Sequence, residues 1–148
     1  DKVKSNLNNL NIENDVRIGT NSHCPFERDY FDYLLSWNAC YYMDNHEGFQ
    51  SHVAEFARIL RKDSNGYFIF SIPKKTNDIF VSSEEIKPGY RVIRNDLLRK
   101  GQILKCFENE MEIENAFSTH FKNFSFGSIN DDCFGRADHW YIGLCQKR

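Results

Sequence analysis

The run Tyr67 to Ile72 (YFIFSI), preceded by Asn65-Gly66 and stopped by Pro73, most narrows what this chain can become. Continuous apolar character without alternation suits a strand buried on both faces of a parallel sheet. Upstream, Phe49, Val53, Phe56, Ala57 and Leu60 fall on one helical face, and Arg61 and Lys62 put cations at the end of that helix. Asp44 and Glu47 have the Asp-x-x-Glu spacing that satisfies free N–H groups at a helix start. Before the helix, Tyr30 to Trp37 (YFDYLLSW) is too short and too apolar for an amphipathic helix and is expected as a central strand buried on both faces. Strand, helix and strand in this order imply a right-handed crossover and an α/β architecture with a mostly parallel sheet.

The remaining segments fit around that unit. Val3, Leu7 and Leu10 predict a short amphipathic helix over residues 2–11, and Val16 to Gly19 a short strand leading into the polar loop Gly19 to Pro25. Thr76 to Gly101 is polar and holds Pro88-Gly89; it is expected as an insertion or lid, with a strand at Tyr90 to Ile93 and a helical turn at Asp96 to Lys100. Glu108 to His120 predicts a last helix. Phe121 to Phe126 and His139 to Cys145 read as strands joined by the loop Gly127 to Asp138, so the sheet should end in an antiparallel pair.

Composition removes several classes of function. Nineteen Lys and Arg against 21 Asp and Glu leave a net charge of -2, without the basic footprint that nucleic acid requires. No apolar run approaches the ~20 residues of a membrane span, and the polar, Asn-rich start is unlike a signal peptide, so the expected location is cytoplasmic. Five widely spaced cysteines without a CxxC pair read as reduced thiols, and no ligand spacing for a metal is present.

The stretch Cys24 to Asn38 (CPFERDYFDYLLSWN) resembles the LPFxDxxFDxVxSxxVLxxM segment of class I S-adenosylmethionine-dependent methyltransferases, and Glu55 to Arg61 followed by Gly66 to Phe70 resembles that family's ExxRVLkPGGxlxxs helix and strand. The resemblance covers roughly residues 1 to 75. It implies a partial Rossmann-like methyltransferase fold, with a reversed last strand, over a single domain of residues 1–148. It also implies S-adenosylmethionine as cofactor and a small-molecule methyl acceptor. In open α/β sheets ligands bind beyond the carboxyl ends of the strands, which here are the turns Thr20-Asn21-Ser22 and Ser36-Trp37-Asn38. By resemblance the first faces the adenine, with Thr20 where the family often has an acid, and the second faces the methionine end; an aromatic face at Trp37 or Tyr42 would attract the sulfonium.

Two parts of the family pattern are not in this sequence: the Gly-rich loop after the first strand, and the acid that binds both ribose hydroxyls. The resemblance therefore implies a domain truncated at its amino-terminal end, holding half of the cofactor contacts and inactive as an isolated segment. The alternative is a non-catalytic methyltransferase-like module that binds a protein partner. Methyl transfer from a sulfonium needs alignment more than a dedicated acid, so the sequence names no catalytic residue; were a base required, His46, His139 and Asp131 are the candidates on rim loops.

Overall fold

The computed structural model describes residues 2–44, 47–62, 66–94 and 96–148. After a helix α1 (Lys2–Asn9) the chain runs irregularly to a strand β1 (Tyr33–Ser36), a helix α2 (Phe49–Ile59) and a strand β2 (Tyr67–Pro73). Three short strands follow, β3 (Ser83–Lys87), β4 (Tyr90–Ile93) and β5 (Ile103–Lys105), then α3 (Glu110–Phe117) and a long hairpin of β6 (Phe121–Asp131) and β7 (Asp138–Lys147). The main sheet has the order β1-β2-β7-β6, and β3-β4-β5 form a separate sheet.

The core is aromatic and lies between the main sheet and two helices. Phe68, Phe70 and Ile72 alternate along β2 and are fully buried. Phe56 of α2 packs on Phe68 with ring centroids 5.1 Å apart, and Phe117 of α3 stacks on Phe70 at 5.1 Å. Gly143 on β7 is required by this packing, because a Cβ there would overlap the Phe70 ring. The opposite face carries exposed Tyr33, Leu35 and Leu144.

Several expectations are corrected. The main sheet is mixed: β1 and β2 are parallel, whereas β2 with β7 and β7 with β6 are antiparallel, and the second sheet is antiparallel throughout. The run at Tyr30 to Trp37 contributes only four strand residues at the sheet edge, and Tyr33 and Leu35, on the face away from the core, are exposed. Val16 to Gly19 is no strand: it has no ladder partner, Ile18 is exposed, and the Arg17 guanidinium turns to Asp15 and the Pro25 carbonyl. The helix α2 starts on Gly48 rather than on a capping box, since Asp44 bonds elsewhere. The loop assigned to 127–138 is mostly hairpin and shrinks to residues 132–137. The Asn-Gly turn signal at Asn65 and the candidate base His46 lie outside the described residues.

The helix expected at 2–11 forms over Lys2–Asn9, with none of its residues buried. All five cysteines are free, and no helix among the described residues is long and apolar enough to cross a membrane.

Candidate functional site

Because β1 and β2 are parallel, their carboxyl ends share one rim of the main sheet. Directly after β1 the chain reverses at Asn38, whose φ of 55° lies in the left-handed region that Asn tolerates better than most residues. Ser71 of β2, buried to 1% exposure, fixes that reversal: its Oγ accepts the Asn38 N–H at 2.7 Å and donates to Asn38 Oδ1 at 2.8 Å.

The polar loop at residues 19–25 reaches the same rim. Thr20 and His23 close a tight turn through reciprocal backbone bonds of 3.0 and 3.2 Å. Asn21 projects from it and donates from Nδ2 to the carbonyls of Ala39 at 3.1 Å and Tyr42 at 2.9 Å. The two turns therefore lie together. Between them runs a cleft of about 830 Å³, with a floor of Phe31, Leu34 and Ile59 and a wall of Cys24 and Phe26. Thr20, Asn21, Asn38, Tyr42 and Asp44 supply its polar groups.

Three charged side chains line the cleft, Asp44, Arg99 and Arg17, the last paired with Asp15. Asp44 Oδ2 accepts from the Ser22 amide at 2.7 Å and the Ser22 hydroxyl at 2.5 Å. Burial works to raise its carboxyl, but these bonds outweigh that and hold it below the usual carboxylate range. Opposite, Arg99 donates from Nε to the Tyr42 hydroxyl at 2.9 Å and is held by Asp96 at 3.0 Å, which brings Leu98, Arg99 and Gln102 over the cleft. The lining thus combines one carboxylate, two guanidinium groups each paired with an aspartate, a tyrosine hydroxyl and apolar side chains, the mixed character of a small-molecule site.

Of the residues expected at the site, Thr20, Asn21, Asn38 and Tyr42 line this cleft. Ser22 supports it indirectly, through Asp44. Ser36 and Trp37 do not line it; the Trp37 ring is half exposed on the sheet edge. Sequence reasoning missed Asp44, which was assigned to helix capping, and Arg99, whose only local signal is the Asp-x-x-Arg spacing from Asp96. His52 is fully buried, because it shares the stripe of Phe49 and Phe56.

No known family profile matches the chain. No curated protein sequence matches it either. Solved structures do. A Pyrococcus horikoshii protein is 13% identical with a TM-score of 0.69, covering 99% of this chain and 66% of that one. A Methanosarcina mazei S-adenosylmethionine-dependent methyltransferase is 14% identical with a TM-score of 0.62, covering 88% of this chain and 66% of that one. The fold is methyltransferase-like. The Burkholderia thailandensis 1,6-didemethyltoxoflavin-N1-methyltransferase, solved with its substrate and S-adenosylhomocysteine bound, is 16% identical with a TM-score of 0.58, covering 86% of this chain and 48% of that one. The chain thus spans about two thirds of the first two neighbours and about half of the third, and the likeness concerns the α/β fold with its mixed sheet.

Proposed function

We propose that this protein serves S-adenosylmethionine-dependent methyl transfer to a small-molecule acceptor. The observation that carries the reading is the double hydrogen bond of Asn21, which ties the turn at 20–22 to the turn at 38–42 on the carboxyl rim of the sheet. This is where an open α/β sheet binds its ligand. A methyltransferase-like fold supports the same reading.

The residues present fit half of such a cofactor. Thr20 and Asn21 would face its nucleoside, while Asn38 and Tyr42 would face its sulfonium end, with the Asp44 carboxylate adding a negative field near the positive centre. When bound, the cofactor supplies a methyl group on a good leaving group. The chain's own work is alignment and exclusion of water: Ser71 fixes the Asn38 backbone, Asn21 fixes the Ala39 to Tyr42 loop, and the Arg99 segment lies over the opening. The ribose-binding acid and Gly-rich turn of the family have no counterpart in this sequence, so the 148 residues by themselves should bind weakly.

Calorimetric titration of S-adenosylhomocysteine into the full-length protein tests the reading. Saturable binding is expected, weakened about fivefold by Asn21→Ala, in line with the roughly 1 kcal/mol a lost hydrogen bond costs. A well-folded full-length protein that takes up no S-adenosylhomocysteine overturns it.

A further inference from the structure

Just beyond the carboxyl end of β2, three side chains from separate segments make a continuous hydrogen-bonded chain. Thr76 Oγ1 lies 2.8 Å from His139 Nδ1, and His139 Nε2 lies 2.9 Å from Asp132 Oδ1. An ionised carboxylate only accepts, so Nε2 carries the ring proton and the Nδ1 lone pair receives the Thr76 hydroxyl. This is the hydroxyl, imidazole and carboxylate order by which a side-chain oxygen is made basic.

The arrangement is built rather than incidental. The His139 carbonyl accepts from the Lys74 amide at 2.9 Å and from Asn77 Nδ2 at 3.0 Å, and the Asp78 amide donates to Ala137 O at 2.8 Å. The turn that carries Thr76 is thereby sewn to the start of β7. The His139 side chain is 17% exposed, while Asp132, at 74%, and Thr76 are both open to solvent, so a ligand can reach the hydroxyl end.

Its position matters as much as its chemistry. Pro73 pairs with Trp140, which puts His139 on the rim that carries Asn38 and Tyr42. The Trp140 ring is 6.1 Å from Tyr41, which stacks on Tyr42 at 4.8 Å. The relay and the cleft are neighbours on one rim, about two strand spacings or ~10 Å apart.

We infer that Thr76, His139 and Asp132 are the proton exit for the methyl acceptor, and that the accepting atom is the oxygen of an O–H or the nitrogen of an N–H. The inference rests on the methyl-transfer reading above. A thiol, with a pKa near 8.5, ionises without such help, whereas a phenol near 10 does not at neutral pH, and an ammonium must shed its proton before it can attack. The acceptor atom forms its bond to the methyl carbon as the carbon–sulfur bond breaks with its electrons left on sulfur. The acceptor's proton passes to Thr76 Oγ1 while the Thr76 proton passes to His139 Nδ1, and Asp132 stabilises the imidazolium until it releases that proton to water. Thr76 touches the acceptor; His139 and Asp132 act through it.

Two measurements on the full-length protein decide the matter. Long-range 1H–15N spectra should show His139 protonated at Nε2, with that preference lost in Asp132→Asn; protonation at Nδ1 in the wild type overturns the relay. With S-adenosylmethionine and catechol, benzylamine and thiophenol as probes, transfer to catechol or benzylamine should fall about 100-fold in His139→Ala and Thr76→Val. Thr76→Ser should stay within about threefold of wild type, and added imidazole should restore part of the His139→Ala loss, which no purely structural role would allow. Because Thr76 is exposed, Thr76→Val reports on the relay even where His139→Ala fails to fold. Transfer that is unchanged in these variants, confined to the thiol, or absent from all three probes while S-adenosylhomocysteine binds, overturns the inference. Failure of S-adenosylhomocysteine to bind overturns the methyl-transfer reading itself, and the inference with it.

Discussion

Asn38 and Ser71 hold each other reciprocally: the Asn38 amide donates to Ser71 Oγ at 2.7 Å, and that hydroxyl donates back to Asn38 Oδ1 at 2.8 Å. One buried hydroxyl thus satisfies both polar groups of a left-handed residue at the rim. Removing it in Ser71→Ala leaves a donor and an acceptor without their partner, at a cost of about 1–3 kcal/mol. At position 38 the backbone conformation and the side-chain acceptor separate: Gly keeps the first, Ala keeps neither. Urea unfolding should therefore rank the variants as wild type, then Asn38→Gly, then Asn38→Ala. An Asn38→Ala protein as stable as Asn38→Gly would remove backbone strain from the account.

His52 predicts how stability depends on pH. Its imidazole is fully buried between Phe49 and Phe56, and neither ring nitrogen has a hydrogen-bond partner among the described residues; Asp44 Oδ2 approaches Nε2 only to 3.5 Å. Burial pushes the ring below its ordinary value, against the pull of Asp44, of the Cys40 backbone and, more weakly, of Glu47. The unfolded chain then binds a proton at a pH where the folded chain does not, so stability falls as pH drops below about 6.5, by at most ~1.4 kcal/mol per pH unit for the one proton. Asp44 has the other dependence: its lowered carboxyl stabilises the fold above about pH 4 and loses that contribution below it. Unfolding free energies measured from pH 7.5 to 3 should show both declines, and His52→Leu should flatten the upper one alone. A wild-type profile that is level between pH 7 and 5 would be incompatible with a buried neutral imidazole.

What the sequence disclosed follows from where the determining contacts lie. The helix α2 and strand β2 were legible because Phe49, Val53, Phe56 and Ala57, and then Phe68, Phe70 and Ile72, pack in register with their own local period. Of the second sheet, β4 was legible at Tyr90–Ile93, whereas β3 and β5 were hidden: Ser83-Glu84-Glu85-Ile86-Lys87 belongs to a sheet exposed enough that polar residues fill both faces. At the rim, Asn38 could be placed through the order of strands and loops, whereas Thr20 and Asn21 reach it from a segment that forms no strand. The tethers of these residues could not be placed, because Asn21 reaches 18 and 21 residues onward to Ala39 and Tyr42, and Ser71 reaches 33 back to Asn38. The edge position of β1 was hidden for a similar reason, since YFDYLLSW reads the same whether one or both of its sides are laddered.

Tyr42 also controls the segment above the cleft. Its hydroxyl accepts from Arg99 Nε at 2.9 Å, a side-chain tie between the rim and a turn held at its base by the backbone bonds of Gly101 N–H to Ile93 O at 2.8 Å and Ile93 N–H to Gln102 O at 2.9 Å. Asp96 accepts from the amides of Leu98 and Arg99, so the turn persists without Tyr42, while its tip at Arg99 loses its one side-chain bond to the rim among the described residues. Leu97 and Leu98 are exposed and contribute no packing to hold it. Tyr42→Phe should therefore leave global stability within about 0.5 kcal/mol, as for a surface substitution. Tryptic cleavage after Arg99 should rise about fivefold, the population change that corresponds to a net hydrogen bond of roughly 1 kcal/mol. Limited proteolysis beside urea unfolding separates the two effects. Equal cleavage rates in Tyr42→Phe and wild type would mean that Asp96 and the backbone bonds at Ile93 place the turn without help from the Tyr42 hydroxyl.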